Sequence, residues 1–373
     1  MTIIHFTTLH PRTDTRIRLK EVATLAREFP APVMLFVQDG KGDEEVVNGG
    51  YSIRDTGAPP LGRARRMTLG AWRMYRAVLR ERPNIAHFHD PELLPWAVLL
   101  RLAGVRVIYD AHEDLGAAIL SKPYIPPMLR APISVAVRLV EKGTARCLSA
   151  VVGATPAIER NFSSMQPTLV QNFPMLAELA LPSNTTKKVP PHFAYVGGLA
   201  FIRGAIEMVE AIADIKDSKA RLQIGGGFPA DLGEELTKCR GWPKVDFHGW
   251  VGRQKVAEIL SSCRAGLVLF HPEPNHVEAQ PNKMFEYMAA GLPVIASDFP
   301  LWREIVDGSK CGLLVDPLNP AEISNAMQWI LDNPEEAVEM GQRGREAVER
   351  YYNWEAESVK LVSLYRRLTS PTQ

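Results

Sequence analysis

Cysteine is scarce in this 373-residue chain, which has four cysteines and no Cys-x-x-Cys pair. Thiols spaced so widely predict neither a disulfide framework nor a zinc knuckle, and they indicate a reduced, cytosolic protein. A membrane-spanning run is also missing. The best candidate, Pro95 to Tyr109, is interrupted by Arg101 and Arg106, whereas crossing a bilayer takes about 20 apolar residues. The opening residues lack the charged and apolar regions of a signal peptide, so none is expected.

Net charge is nearly absent, because 43 basic and 42 acidic side chains give +1. This balance argues against a bulk nucleic-acid binder. The charge is uneven, however: residues 1–180 contain 22 lysines and arginines against 17 acids, and the remainder is acidic. The asymmetry suggests that the two halves bind different partners. Composition is that of an ordinary globular protein, and the length suits two domains.

Short β-rich runs alternate with amphipathic helical patterns along the chain. Helices are predicted, for example, over 18–28 and 65–80. The predicted strands are Ile3–Thr7, Val33–Val37, Ile85–Phe88, Val105–Tyr109, Ala150–Gly153, Phe193–Val196, Arg221–Ile224, Val245–Phe247, Gly266–Phe270, Pro293–Ala296 and Gly312–Val315. Such alternation is typical of parallel βαβ units. The predicted fold class is therefore α/β, with two doubly wound Rossmann-like domains.

Proline, serine, asparagine, threonine and lysine crowd together over Pro174–Pro191, which we interpret as an interdomain linker. The predicted domains are 1–180 and 181–350, followed by a C-terminal helix, 351–373, that can pack back on the first domain. Ligands of doubly wound sheets bind at the carboxyl ends of the strands. Two such sheets facing each other predict an active site in the cleft between the domains.

Two glutamates lie eight positions apart in Glu278-Ala-Gln-Pro-Asn-Lys-Met-Phe-Glu286. A helix that starts near Asn282 carries Glu286 in its second turn, and its free N–H groups suit a diphosphate or a sugar hydroxyl. Glu286 can then accept two ribose hydroxyls, and Glu278 can accept hydroxyls of a hexose. The alternative is a solvated acidic pair beside a buried helix, and these two residues alone do not decide between the two interpretations.

With the apolar run that follows, Ala289-Ala-Gly-Leu-Pro-Val-Ile-Ala-Ser297, this segment resembles the Glu-x7-Glu signature of retaining glycosyltransferase family 4, which has the GT-B fold. Further matching segments are His10-Pro-x-x-Asp-Thr-Arg-Ile17, His89-Asp-Pro-Glu-Leu93, Tyr109-Asp-Ala-His-Glu113, Gln171-Asn-Phe-Pro174, Tyr195-Val-Gly-Gly-Leu199 and Phe247-His-Gly-Trp250. The resemblance covers nearly the whole chain. It implies that Glu286 binds the donor ribose and Glu278 the donor sugar. The implied reaction moves a hexosyl or N-acetylhexosaminyl group from a nucleoside-diphosphate sugar to a hydroxyl acceptor, with retention.

The glycine turn Gly197-Gly198 follows a predicted strand, where a backbone can approach a phosphate. Arg203 can reach the diphosphate with its guanidinium fork; the alternative is an arginine on a solvated helix face. In many members of the family the position of Gly198 is an arginine and that of Arg203 a lysine. This chain lacks a cation at Gly198, so Arg203 needs another positive group beside it to neutralise the diphosphate. Lys283 is the candidate for that group. The predicted donor-binding residues are Gly197, Gly198, Arg203, Asn282, Lys283 and Glu286.

In the first half of the chain, His112 follows a predicted strand and is expected to face the cleft. The resemblance places a histidine here beside the donor sugar, so His112 and Glu278 are the predicted catalytic residues. A histidine at a strand end is often structural, which is the alternative. The candidates for the acceptor side are Asp14, Arg16, His89 and Glu113.

An alternative interpretation of these histidines is a metal site, because His87-x-His89 and His112-x-Asp114 could supply four ligands. The chain has no Asp-x-Asp, the metal clamp of the other main glycosyltransferase fold, so no metal or other cofactor is predicted. Two other classes stay open. A metal-dependent hydrolase would leave the glutamate signature unused, and an inactive, glycosyltransferase-like binding subunit would fit the missing arginine at Gly198.

Arginines are concentrated between Arg63 and Arg82, a stretch whose single acid is Glu81. The two sides of a helix here would be Arg66, Arg73, Arg76 and Arg80, within about 80° of one another, and Met67, Ala71, Met74 and Val78. Such a helix can lie on an anionic membrane, or it can pack on its own domain with its arginines in water. Because many family members act on lipid-linked sugars, the prediction is a peripheral protein at the inner membrane face, in surface polysaccharide or glycolipid synthesis.

Overall fold

The structure is a computed structural model that describes residues 1–120, 122, 125–176 and 189–370. The chain forms two compact units. Unit 1 contains Met1–Asn172 and the C-terminal segment from Trp354, and unit 2 contains Phe173–Asn353. The predicted domain boundary between residues 180 and 181 lies outside the described residues, as does most of the predicted linker. In the part of the chain that the structure describes, no helix is both long and apolar enough to cross a bilayer.

An eight-stranded sheet forms the centre of unit 1. Its strands are β1 (Ile3–Phe6), β2 (Val33–Val37), β3 (Glu44–Val46), β4 (Tyr51–Asp55), β5 (Ile85–Phe88), β6 (Arg106–Ala111), β7 (Ala150–Gly153) and β8 (Thr168–Leu169). They lie in the order β3-β4-β2-β1-β5-β6-β7-β8, and each neighbouring pair is parallel except β3 with β4. The central strands β1, β2 and β5 are buried along their whole length, as expected of parallel strands between helices.

Helices connect the strands of unit 1. They are α1 (Ala23–Glu28), α2 (Arg63–Arg65), α3 (Ala71–Arg80), α4 (Leu94–Leu102), α5 (Leu115–Leu120), α6 (Pro127–Ala145) and α7 (Pro156–Asn161). A π-helical segment, Thr15–Val22, runs directly into α1, so the helix predicted over 18–28 begins earlier than expected. The reason is a cap: the Asp14 carboxylate accepts a hydrogen bond from the Ile17 N–H at 2.9 Å.

The apolar side of α3 packs into the core of unit 1. Ala71, Met74 and Val78 are fully buried there, so these three residues are not available to a membrane, and the prediction is wrong for them. Met67, the fourth residue of the predicted apolar side, is 40% exposed. Arg73, Arg76 and Arg80 are exposed. Arg66 is not part of the same free arginine surface, because its guanidinium pairs with the Glu92 carboxylate at 3.2 Å.

Unit 2 repeats the plan with six strands: β9 (His192–Val196), β10 (Arg221–Gly225), β11 (Val245–Phe247), β12 (Ala265–Val268), β13 (Val294–Ser297) and β14 (Gly312–Val315). All are parallel, in the order β11-β10-β9-β12-β13-β14. Its helices are α8 (Ala205–Ala213), α9 (Ala230–Lys238), α10 (Arg253–Ser261), α11 (Asn282–Ala289), α12 (Pro300–Ser309), α13 (Pro320–Asp332) and α14 (Pro334–Arg350). Two α/β units with parallel sheets confirm the predicted fold class.

The last helix, α15 (Trp354–Thr369), belongs to unit 1. It packs against α1, and the Trp354 indole N–H donates to the Thr24 hydroxyl at 3.0 Å. Leu361, Leu364 and Tyr365 are buried on its inner side. The chain therefore leaves unit 1 after Asn172 and returns to it at Trp354.

Candidate functional site

Imidazoles collect in unit 1 where β1, β5 and β6 lie side by side. His5 on β1 is in register with His87 on β5, and His89 and His112 directly follow β5 and β6. Parallel strands end at one edge of a sheet, so the side chains after β5 and β6 converge there. The side chains of His5, His87 and His89 are buried, whereas the His112 side chain is 18% exposed.

A continuous hydrogen-bonded chain links His112 to the C-terminal helix. The Tyr365 hydroxyl of α15 lies 2.8 Å from His87 Nδ1 and 2.9 Å from His5 Nε2. His5 Nδ1 is 3.1 Å from His89 Nε2. His89 Nδ1 is 3.2 Å from His112 Nε2, and both nitrogens contact the Asp110 carboxylate. Burial lowers the pKa of His5, His87 and His89, which keeps these imidazoles neutral.

Asp110 orients His112, which is the exposed end of this series of hydrogen bonds. Its Oδ2 lies 2.9 Å from His112 Nε2, which leaves His112 Nδ1 facing away from the carboxylate. The Arg16 guanidinium donates to both Asp110 oxygens, at 2.8 and 3.1 Å. Burial alone would raise the pKa of Asp110, but Arg16 and His112 outweigh it and hold this pKa well below its usual range. Asp110 is therefore a carboxylate that fixes the His112 ring.

Two of the predicted acceptor-side residues are interior. Arg16 is buried, and its guanidinium also contacts Glu21 Oε1 at 3.0 Å and the Val170 carbonyl at 2.9 Å. An arginine with every direction occupied by protein cannot reach an acceptor, so that prediction for Arg16 is wrong. His89 is likewise buried, and it can act only by positioning His112.

The other two acceptor-side candidates lie nearer the surface. Asp14 caps the helix that it precedes and contacts His10 Nδ1 at 3.2 Å. Burial raises the pKa of Asp14, but the bonds from His10 and the Ile17 N–H lower it to about 2. Glu113 is exposed and directly follows His112. Of the four candidates, Glu113 alone presents an open carboxylate.

The rival metal cluster is only partly assembled. Among the described residues, Glu21, His87, His89 and Asp110 place one potential ligand atom each within 4.8 Å of the others. Arg16 already supplies a positive charge to both carboxylates of this group. Asp114, the fourth ligand of the predicted alternative, instead pairs with Arg138 at 2.9 Å and caps α5 through the Ala117 N–H. Arg16 is thus the counter-charge of Asp110, whereas burial, followed by the charge of Asp110, raises the pKa of Glu21 well above its ordinary value.

In unit 2, two glycine turns pack against each other after β9 and β10. The Gly197 N–H donates to the Gly225 carbonyl at 2.8 Å, and the Leu199 N–H donates to the Gly227 carbonyl at 2.9 Å. A β-carbon on Gly226 would lie 1.9 Å from the Gly197 oxygen, so the two turns need glycine to approach. Gly197 has a φ of 117°, which only glycine adopts readily. The predicted glycine turn after a strand is thus present.

Two cations lie beside this turn. Arg203 donates to the Gly198 carbonyl at 2.8 Å, an oxygen that also accepts from the Tyr195 hydroxyl at 2.9 Å. Lys283 Nζ lies 3.6 Å from the centre of the Tyr195 ring. A β-carbon on Gly197 would start 3.4 Å from this Nζ, so the glycine keeps the approach to Lys283 open.

Lys283 is the most unusual charge in unit 2. It is 9% exposed, and its Nζ has no hydrogen-bond partner among the described residues. Burial lowers the pKa of Lys283 well below its ordinary value, and repulsion from Arg203 lowers it further. An unpaired buried amine is costly to stability. A phosphate group at the glycine turn would supply the missing partner.

The glutamate segment follows the predicted geometry. α11 begins at Asn282, which is exposed at its N-terminus, and Glu286 lies in its second turn. Glu278 lies in the preceding loop and is exposed. The buried Trp302 holds this loop, because its indole N–H donates to the Ala279 carbonyl at 2.7 Å.

Sequence reasoning missed two residues of these sites. Arg253 at the start of α10 contacts Glu286 Oε1 at 2.9 Å. Tyr365 bridges His5 and His87 from α15. Neither residue lies in a recognisable motif, and each contacts a partner that is far away in the sequence, so no local signal could have found them.

Comparison with known proteins agrees with this architecture. Residues 18–169 match the family described as "glycosyl transferase 4-like domain", and residues 179–347 match "glycosyl transferases group 1". The structure of sucrose-phosphate synthase from Thermosynechococcus elongatus is similar, with a TM-score of 0.79 at 21% identity over 98% of both chains. The Anabaena protein HepE in complex with UDP and glucose is similar with a TM-score of 0.74 at 12% identity, over 98% of this chain and 100% of that one.

The fold is therefore that of a GT-B glycosyltransferase. The chain belongs to the glycosyltransferases of the family 4 type, as the glutamate signature predicted. Among curated relatives, a GDP-mannose-dependent alpha-(1-6)-phosphatidylinositol monomannoside mannosyltransferase of Mycobacterium tuberculosis is 29% identical over 44% of each chain. The chain spans less than half the length of this relative and of two others that it matches.

Proposed function

We propose that the protein transfers a hexosyl or N-acetylhexosaminyl group, with retention, from a nucleoside-diphosphate sugar to a hydroxyl acceptor in surface polysaccharide or glycolipid synthesis. Unit 2 binds the donor in this proposal. The observation that carries it is Lys283, a buried amine without a hydrogen-bond partner among the described residues, beside Arg203 and the glycine turn. The diphosphate binds the turn and both cations, and no metal is needed.

The remaining roles follow from chemistry and position. Glu286 accepts the ribose hydroxyls, and Arg253 steadies its carboxylate. Asn282 at the start of α11 offers a free N–H. Glu278 accepts hydroxyls of the donor sugar, and His112, held by Asp110, presents Nδ1 to that sugar. Catalysis comes from holding charge and geometry around an oxocarbenium-like transition state.

The reaction needs no protein nucleophile. The bond between the anomeric carbon and the donor phosphate breaks, and the acceptor oxygen bonds to that carbon on the same face. The acceptor proton passes to the leaving phosphate. The product anomer is then the donor anomer.

We further propose that the acceptor is presented at an anionic membrane surface. The excess of basic residues in the first half of the chain supports this idea. The mycobacterial relative, whose name specifies a phosphatidylinositol monomannoside, also supports it.

Glu286→Ala and Arg203→Ala are each expected to weaken nucleoside-diphosphate binding by about 1–3 kcal/mol, the scale of a lost charge-assisted hydrogen bond. Calorimetric titration of the wild type with UDP and with GDP measures the affinity for each nucleotide. The nucleotide that binds more tightly is then used to titrate the variants. Arg240→Ala is the control, because it removes a guanidinium at the surface of unit 2, where Arg240 pairs with Glu210. Unchanged affinity in both site variants would remove these residues from the proposed donor site.

Turnover is expected to persist in excess EDTA. Arg203 and Lys283 supply the positive charge that a divalent cation supplies to the diphosphate in metal-dependent enzymes. Release of nucleoside diphosphate from a sugar nucleotide, with and without chelator, measures this. Loss of activity that returns with Mg²⁺, Mn²⁺ or Zn²⁺ would favour metal-dependent hydrolysis or transfer instead.

A further inference from the structure

Helix α6 of unit 1 carries a row of apolar side chains that unit 1 does not cover. Met128, Val135 and Leu139 are 84%, 58% and 67% exposed, and Pro132 between them is also exposed. At 100° per residue these four positions lie within about 60° of one another. We call them the α6 apolar face. It runs along most of a 19-residue helix, which is more than the scattered single apolar residues that protein surfaces normally show.

The surroundings of the α6 apolar face are basic. α4 packs against both α3 and α6, so the three helices form one layer of unit 1. This layer contains the cations Arg73, Arg76, Arg80, Arg101, Arg130, Arg138 and Lys142, and Arg146 follows α6 directly. The single acid in the three helices is Glu141. That carboxyl is buried and accepts from the Tyr109 hydroxyl at 2.8 Å, so it faces the interior.

Two of these cations extend the α6 apolar face at its C-terminal end. Lys142 and Arg146 follow Leu139 by one and two helical turns and project to the same side. Neither forms an ion pair with a residue that the structure describes. On neighbouring α4, Leu102 is 78% exposed beside the exposed Arg101. Exposed apolar and basic side chains thus lie on both helices.

We propose that the α6 apolar face docks on an anionic lipid bilayer, with Met128, Val135 and Leu139 entering the interface and Lys142 and Arg146 binding lipid phosphates. The inference rests on the membrane acceptor in the proposed function and names the surface that would meet it. The charge of the surface favours a bilayer over a second copy of the chain. A second copy would bring Lys142 and Arg146 against like charges, whereas anionic headgroups would neutralise these two cations. Apolar side chains flanked by basic ones are the combination that holds a helix in a membrane interface.

The position of α6 explains why docking would serve the reaction. Arg138 of α6 donates to the Asp114 carboxylate at 2.9 Å, and Asp114 is two residues from His112. The Ser134 hydroxyl of α6 donates to the Gly116 carbonyl at 2.7 Å. α6 is thus tied directly to the segment that holds His112. A bilayer at the α6 apolar face would bring lipid-linked hydroxyls close to that segment.

The test is co-sedimentation of the full chain with sucrose-loaded vesicles, without any sugar nucleotide. Phosphatidylcholine vesicles with and without phosphatidylglycerol are compared at low and high salt. Wild type is expected to bind the anionic vesicles at low salt and to bind the neutral ones weakly. Val135→Asp is expected to lower the partition coefficient about tenfold or more, because it buries a charge in the interface. The matched control is Val338→Asp, which makes the same change at a valine of α14 that is 59% exposed.

Each outcome decides the inference. A selective loss in Val135→Asp, with Val338→Asp binding like wild type and all thermal midpoints alike, supports the α6 apolar face. Equal binding of both variants, or no binding by wild type, overturns it. A dimer in sedimentation analysis that Val135→Asp dissociates would assign the face to a second copy and would also overturn it. Because no donor is present, failure here leaves the donor-site proposal, tested by calorimetry, untouched.

Discussion

Arg16→Met is expected to lower the free energy of unfolding of unit 1 by about 3–5 kcal/mol, the scale of breaking a buried ion pair by removing one partner. Arg16 is the counter-charge of Asp110 and Glu21, two carboxyls with no exposed side-chain surface. Methionine would fill much of the volume but would leave Asp110 as an uncompensated charge. Urea unfolding monitored by circular dichroism measures the loss.

Arg54→Met is the control for this experiment. Arg54 also contacts two carboxylates in unit 1, Asp43 and Glu45, but these are 55% and 63% exposed. Surface pairs contribute about 0.2–1 kcal/mol, so this variant should unfold nearly like wild type. Equal, small effects of both substitutions would show that the buried network does not depend on Arg16.

The pH dependence of the Arg16 effect has a definite sign. The pKa of Asp110 is lowered in the folded protein, so its stabilising interaction is present above the ordinary carboxyl pKa of about 3.9. The contribution is lost as pH falls through the lowered folded value. The difference between wild type and Arg16→Met should therefore be largest near neutral pH and should narrow in acid.

Lys283→Met is expected to change binding and stability in opposite directions. Nucleoside-diphosphate affinity should fall about a hundredfold, because the substitution removes a buried charge from the phosphate site. The free energy of unfolding of the ligand-free protein should rise by about 1–3 kcal/mol, because a buried amine without a hydrogen-bond partner among the described residues is replaced by an apolar side chain. Calorimetry and urea unfolding measure the two effects.

The pH dependence of stability distinguishes the loss of the Lys283 amine from a general loss of structure in the variant. The pKa of Lys283 is lowered in the folded protein, so the unfolded chain binds more protons between that value and the ordinary pKa of about 10.4. Across that window wild-type stability should rise with pH and be lost as pH falls. Lys283→Met should remove this slope. A variant that binds the nucleotide normally, or that is less stable than wild type, would contradict the assignment.

Much of the fold could be predicted because parallel strands are buried on both faces. A run such as Val33–Val37 is apolar at every position and needs no long-range information. β3 is different: Glu44-Glu45-Val46 lies at a sheet edge with a largely polar sequence, so nothing in the pattern indicates a strand. Edge strands take their conformation from the neighbour with which they pair.

The site was predictable where a motif is contiguous, as in α11 with Asn282, Lys283 and Glu286. It was not predictable where burial decides the role. Arg16 lies in a polar connection, and its partner Asp110 is 94 positions away, so the sequence cannot tell a buried structural arginine from one that binds a ligand. Lys283 shows the opposite. The sequence proposed it only as a candidate cation, and its burial in the structure is the strongest evidence for a binding site in unit 2.

The return of the chain to unit 1 at Trp354 affects how the protein is made. Residues 173–353 of unit 2 are contiguous, and they are synthesised before α15. During translation unit 2 can complete its core first, whereas unit 1 must wait for its final helix although its strands emerge earliest. Until Tyr365 arrives, His5 and His87 lack the hydroxyl that joins them. The histidine network is therefore among the last features of the protein to form.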